Sequence, residues 1–219
     1  MAKKAIIIGA TGLTGGLLLK RLLQDNRYKS IMLFSRNSCN IKHDKIEEHL
    51  IDLLALENYK EAFIADDVFC CIGTTKVKTP NEEMYLKIDH GIPVSLAKIC
   101  AKNKVNTLVI ISALGANKKS KVFYNRTKGR MEEDVLKEKI NNTYILQPSL
   151  IVGTRSEKRF WEKMAKLFMS VLNPLFIGNL KKYRSIHPNT IVSAMIWIAN
   201  NQYKSGRIPS DIIQEISEN

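Results

Sequence analysis

Short apolar runs alternate along this chain with longer stretches whose apolar positions recur every three to four residues. The runs at Ala5–Gly9, Ser30–Ser35, Glu48–Ile51, Asp67–Ile72, Val105–Ser112 and Thr143–Gln147 predict six strands. Several are almost unbroken, as in Val68-Phe69-Cys70-Cys71-Ile72 and Leu108-Val109-Ile110-Ile111. Strands covered on both faces read this way, and they belong to parallel sheets flanked by helices. Helical patterns at Thr14–Asp25, Leu56–Ile64, Asn81–Lys102 and Ser120–Glu138 fill the intervals. Alternating β and α units predict an α/β fold, a Rossmann-type doubly wound parallel sheet with right-handed crossovers. From about residue 157 the alternation stops. Phe160, Trp161, Met164, Phe168, Val171, Leu172 and Leu175 fall at helical spacing, with Pro174 near the end of that run. Pro188–Asn201 reads as a buried helix, Ile208-Pro209 as a short strand and Asp211–Ser217 as a last helix. The whole is expected to be one domain, 1–219, with 157–219 building most of the substrate side.

In such sheets ligands sit beyond the carboxyl ends of the strands, so the residues just after each strand carry the chemistry. The first strand runs into Gly9-Ala10-Thr11-Gly12-Leu13-Thr14-Gly15, a G-x-x-G-x-x-G turn that opens a helix. Glycines permit positive φ and close approach of a phosphate, and a helix start presents free N–H groups to an anion. After the second strand comes Ser35-Arg36, where NAD-selective sites usually place an acid. An arginine there suits a 2′-phosphate and argues for NADP(H) over NAD(H); the alternative is a solvated surface arginine. Asp52-Leu53 follows the third strand and suits an adenine edge, or simply caps a helix. Cys71-Ile72 leads into Gly73-Thr74-Thr75 after the fourth, small enough for close passage of a cofactor ribose, or equally a plain turn.

After the fifth strand stands Ser112, and twelve residues on lies Tyr124-x-x-x-Lys128. Tyr and Lys four apart on a helix share a face. A phenol titrates near 10, too high for acid–base work at neutral pH, and a neighbouring ammonium together with an oxidised nicotinamide is expected to lower it. Tyr124 could then exchange a proton with a carbonyl oxygen while Lys128 holds the nicotinamide ribose and Ser112 bonds the substrate oxygen.

Composition changes this picture little. The four cysteines, Cys39, Cys70, Cys71 and Cys100, form no C-x-x-C and read as reduced core thiols. The four histidines have no metal-ligand spacing, so no metal is expected. The net charge of +13 comes mostly from scattered lysines and is accompanied by no nucleic-acid-binding pattern. Steering of an anionic cofactor is its secondary benefit. Met1-Ala2-Lys3-Lys4 leaves no room for a signal peptide and no run is long enough for a bilayer, so a cytoplasmic monomer or homodimer is expected. Lys181-Lys182-Tyr183-Arg184 reads as a solvated basic loop.

The glycine turn, Ser112 and Tyr124-x-x-x-Lys128 together resemble the atypical short-chain dehydrogenase/reductases with NAD(P)-binding Rossmann domains. Within these, Phe69-Cys70-Cys71-Ile72-Gly73-Thr74-Thr75-Lys76 and Ser112-Ala113-Leu114-Gly115-Ala116 look like the Tat-interacting-protein oxidoreductase group and its bacterial relatives. The resemblance implies NADPH binding by the glycine turn and Arg36, a Ser–Tyr–Lys catalytic set, and Pro148-Ser149-Leu150 against the nicotinamide. It also implies departures. Position 113 is Ala where relatives often have a second serine, Gln147 precedes the proline where many have Arg, and Asp89 stands where extended relatives often have Asn. The expected activity is NADPH-dependent hydride transfer to or from a carbonyl or alcohol of a small, apolar substrate. The alternative is a non-catalytic NADP(H)-sensing protein of NmrA-like type. A nucleotide-sugar epimerase is the weaker third reading, because about 70 residues after the sixth strand are few for that substrate domain.

Overall fold

The computed structural model describes residues 2–152 and 178–219, so the apolar stripe from Phe160 to Leu175 lies outside the described residues. Seven strands form one sheet in the order β3-β2-β1-β4-β5-β6-β7, with every neighbouring pair parallel. They are β1 Lys3–Ile8, β2 Tyr28–Ser35, β3 Ile46–Leu50, β4 Asp67–Cys70, β5 Thr107–Ile111, β6 Asn142–Gln147 and β7 Gly206–Pro209. The doubly wound sheet expected from the alternation is what forms, and the Ile208-Pro209 run joins it as its seventh strand. The order reverses between β1 and β4, which opens the crevice where ligands bind in this class of sheet.

Alternate residues of each strand feed opposite layers. Ile7, Phe69 and Val109 face one core, which is closed by helix α1 (Leu13–Gln24), helix α5 (Pro188–Asn200) and helix α6 (Ser210–Ser217). Ile6, Ile8, Val68, Cys70, Leu108 and Ile110 face the other, closed by helix α3 (Ile92–Lys102), helix α4 (Phe123–Lys137) and a 3₁₀ run, Leu53–Ala62. Period-two alternation inside an all-apolar strand is therefore real. It distributes one run between two cores, the inner strands β1, β4 and β5 being covered on both faces.

Two helical expectations change. The helix predicted at Leu56–Ile64 is the 3₁₀ run Leu53–Ala62, kinked at Ala55, because Asp52 caps it early by accepting from the Leu54 N–H. The single helix predicted over Asn81–Lys102 is divided into helix α2 (Glu82–Leu86), a π turn at Lys87–Gly91 and α3. Asn81 starts it by accepting from the Met84 N–H, and Pro93 sits in the first turn of α3, where its missing N–H is tolerated. Helical propensity alone carries no sign of a π turn, which is a local widening that tertiary contacts impose.

Candidate active site

At the carboxyl ends of the strands lies a cavity of about 1010 Å³. Gly9, Thr11, Gly12, Leu13 and Thr14 line it, with Arg36, Asp52 and Leu53 from beyond β2 and β3. Cys71, Ile72, Gly73, Thr74 and Thr75 follow β4. Ser112, Tyr124 and Lys128, then Pro148, Ser149 and Leu150 complete the wall after β5 and β6. Of the residues singled out from sequence, Gly15 and Ser35 alone are missing from this lining.

Their absence has a physical reason. A Cβ on Gly15 would lie 2.2 Å from the Gly9 carbonyl oxygen, so this glycine lets α1 pack on the β1 turn instead of meeting a ligand. Ser35 is buried and its hydroxyl donates to the Asn37 carbonyl, which shapes the loop that carries Arg36. Gly9 itself has φ +91°, and a Cβ there would come within 2.9 Å of the Cys71 carbonyl oxygen. Gly12 donates its N–H to the Gly9 carbonyl at 3.0 Å and stands as the N-cap of α1. No side chain caps that helix and its first turn has no acid, so its N–H groups and dipole are left to whatever enters the cavity.

Lys128 and Asp89 make a buried ion pair, Nζ to Oδ1 at 2.9 Å, with side chains 4% and 0% exposed. The other carboxylate oxygen of Asp89 accepts from the Thr74 N–H at 2.8 Å. The π turn delivers Asp89 to this position, and a Cβ on Gly73 would lie 3.8 Å from Asp89 Oδ1 and 4.0 Å from Lys128 Nζ. Burial alone would lower the Lys128 ammonium, but Asp89 and Tyr124 beside it hold it above its ordinary value. Tyr124 stands one turn away on the same face of α4. Burial pushes its phenol above the ordinary value; Lys128 pulls the other way and Asp89 adds to the rise. Lys128 thus pulls the phenol in the expected direction, but burial outweighs it. The amine that was to stabilise the phenolate already has a carboxylate of its own.

Ser112 is almost fully buried, and its hydroxyl donates to Glu132 Oε1 at 2.5 Å. Glu132 is fully buried and also accepts from Gln147 Nε2 at 2.9 and 3.0 Å and from Arg207 Nε at 2.6 Å. A buried carboxylate is tolerated only when so satisfied. Sequence reading missed this group because Glu132-Glu133-Asp134 looks like a solvated face. The available signal was spacing: Tyr124, Lys128 and Glu132 recur every four residues and so share one stripe of α4. Gln147 fills the place where Arg was expected, and the cation comes instead from Arg207 on β7. Ser149 donates to the Arg184 carbonyl and accepts from Ser210, which fixes the loop after β6.

Cys70, Cys71 and Cys100 are free thiols whose burial raises them, Cys70 to about 11, consistent with inert core groups. Among the described residues no cluster of potential metal ligands forms, and no helix is long and apolar enough to cross a membrane. Of the described residues from 178 onward, Tyr183 is the one lining the cavity; the remainder extends the sheet and covers one face.

A parallel sheet reversing at β1 and β4, a glycine turn into α1 and a Tyr–Lys pair on α4 define an atypical short-chain dehydrogenase/reductase of the Tat-interacting-protein-like group. Residues 31–182 match the HIM1 family, and the chain belongs to that family. It is 33% identical over 159 residues to Protein FMP52, mitochondrial, of Candida glabrata, a match spanning 70% of this chain and 66% of that protein. Protein HTATIP2 of Rattus norvegicus is 28% identical over 174 residues, 78% of this chain and 72% of that protein. Among solved structures, the Bordetella bronchiseptica enzyme WbmG in complex with NAD superposes with a TM-score of 0.71 at 11% identity. That match covers all of this chain and 77% of WbmG, and it speaks for the fold. The cytoplasmic placement expected from sequence does not stand, since the FMP52 relatives are named mitochondrial proteins.

Proposed function

We propose that the protein is an oxidoreductase using a nicotinamide dinucleotide, NADP(H) in preference to NAD(H), on a carbonyl or alcohol of a small substrate with an apolar body. One observation carries this reading: Tyr124 and the Lys128–Asp89 pair line the same cavity as the glycine turn and Arg36. The residues fit such a cofactor. The Gly9 turn has no room for a side chain, and the uncapped start of α1 favours an anion. Arg36, beyond β2, would pair with a 2′-phosphate, and Asp52-Leu53 would flank the adenine. Pro148-Ser149-Leu150 would back the nicotinamide, with Cys71-Ile72 and Gly73-Thr74-Thr75 along the riboses. When bound, the dinucleotide supplies or accepts hydride.

The remaining work falls to side chains. Tyr124 donates its phenolic proton to the carbonyl oxygen during reduction, and its raised value keeps it protonated at neutral pH. Lys128, held by Asp89, bonds the ribose hydroxyls. Ser112 donates its O–H hydrogen bond to Glu132, so toward the cavity its oxygen can only accept. The same commitment is what favours the second reading, a protein that senses NADP(H) without turnover. The test is NADPH oxidation against a panel of aldehydes and quinones. Tyr124→Phe should leave NADPH affinity within about twofold and reduce turnover by 10²-fold or more. Wild-type NADPH binding with no turnover across the panel would establish the sensor instead.

A further inference from the structure

Three cations stand in the described lining, Arg36, Lys78 and Lys128, and among the described residues Lys128 alone has an ion-pair partner. Lys128 has Asp89. On the turn after β4, Lys76 has Glu82 at 2.5 Å, and on α2 and the π turn Glu83 holds Lys87 at 2.7 Å. Arg36 sits at the far end, beyond β2, where the 2′-phosphate reading uses it. Lys78 lines the cavity with no ion-pair or hydrogen-bond partner for its ammonium among the described residues. The acids in the described lining are Asp52 and Asp89, and neither is free: one caps the 3₁₀ run, the other holds Lys128 and the Thr74 N–H.

Lys78 is also placed by an ordered turn. Its N–H and that of Thr79 donate to the Thr75 carbonyl at 3.0 and 2.8 Å, and the Thr74 and Thr79 hydroxyls bond each other at 2.8 Å. Thr74 is in turn anchored to Asp89, so the turn is tied directly to the catalytic ion pair. The same cavity is lined by the apolar side chains of Met84, Ile88, Leu150 and Ile151.

We propose that the substrate is an apolar carbonyl or alcohol carrying an anionic group, a carboxylate or a phosphate, and that Lys78 reads that group. This rests on the oxidoreductase reading above and narrows it from an apolar molecule to an amphiphilic acid. Lys78 is exposed, and a cation at the open side of a cleft raises the local concentration of anions and gains a charge-assisted hydrogen bond on contact. Arginine would serve the same end and methionine would not.

Two assays test this. In the first, NADPH-dependent reduction of 4-carboxybenzaldehyde is compared with that of benzaldehyde. The wild type should favour the acid by about tenfold in kcat/KM, and the Lys78→Met variant should lose about tenfold more on the acid than on the neutral aldehyde. Lys78→Arg should restore most of the preference. In the second, benzoate, phenyl phosphate and benzamide are titrated calorimetrically into NADPH-loaded protein, which needs no turnover. One of the two anions should bind about tenfold tighter than benzamide, and Lys78→Met should erase the difference. The anion that binds tighter names the group. Equal binding of all three, or equal losses on both aldehydes, overturns the proposal. So does a Lys78→Met variant that chiefly weakens NADPH, since Lys78 would then read the cofactor's own phosphates. Failure of turnover alone, with anion preference intact, counts against the oxidoreductase reading and leaves the Lys78 assignment standing.

Discussion

At the scale of single residues the site is governed by two buried carboxylates that were hard to see in the sequence. Asp89 pairs with the charge of Lys128, and Glu132 accepts the hydrogen bond of the Ser112 hydroxyl. The first has a consequence for pH. If Tyr124 is the proton donor proposed above, activity persists below its titration and falls above it. Asp89→Asn removes a negative charge that favours the protonated phenol, so the phenol falls and the basic limb of the kcat/KM profile should move to lower pH. An unmoved limb would mean that another group carries the proton. The same change strands a buried ammonium and should cost about 3–5 kcal/mol in urea unfolding. Residue types at strand ends were legible without the structure, because ligand sites of this sheet class occur there. Partners were not. Arg207 reaches Glu132 across 75 residues, and no local pattern announces a pairing that long.

At the scale of elements, the alternation of strands and helices and the two-sided covering of the sheet were readable from apolar runs, while boundaries and irregular turns were not. The strand predicted at Glu48–Ile51 lies at Ile46–Leu50, since β3 is an edge strand whose exposed face blurs the pattern. The π turn escaped because the sequence from Asn81 to Lys102 has ordinary helical spacing throughout. Close packing of helices is equally invisible in propensity. A Cβ on Gly129 of α4 would lie 2.3 Å from the Asn117 carbonyl carbon and the Lys118 nitrogen, both backbone atoms. In an isolated helix alanine is favoured over glycine by about 1 kcal/mol. Here Gly129→Ala should instead destabilise by roughly 1–3 kcal/mol, read from chemical denaturation, because α4 must move off the loop that follows Ser112. A stabilised variant would show that this contact gives way freely.

At the scale of the whole molecule, the charge of +13 surrounds a cleft that is read as holding a polyanionic cofactor. Summed fields of this kind act over roughly a Debye length, about 10 Å at 0.1 M salt. NADPH should therefore bind several-fold more weakly at 0.3 M than at 0.02 M sodium chloride, mostly through slower association, in stopped-flow fluorescence. A flat response would assign the lysines to solubility alone. The sequence gives the sign of this charge, but the cavity that focuses it arises only when segments more than a hundred residues apart meet at the strand ends.

The pairing of Glu132 with Arg207 also imposes an order of events during synthesis. The glycine turn, Tyr124 and Lys128 emerge from the ribosome long before β7 does. Until Arg207 arrives, Glu132 lacks the counter-cation it has in the folded protein, so the wall that positions Ser112 is completed last.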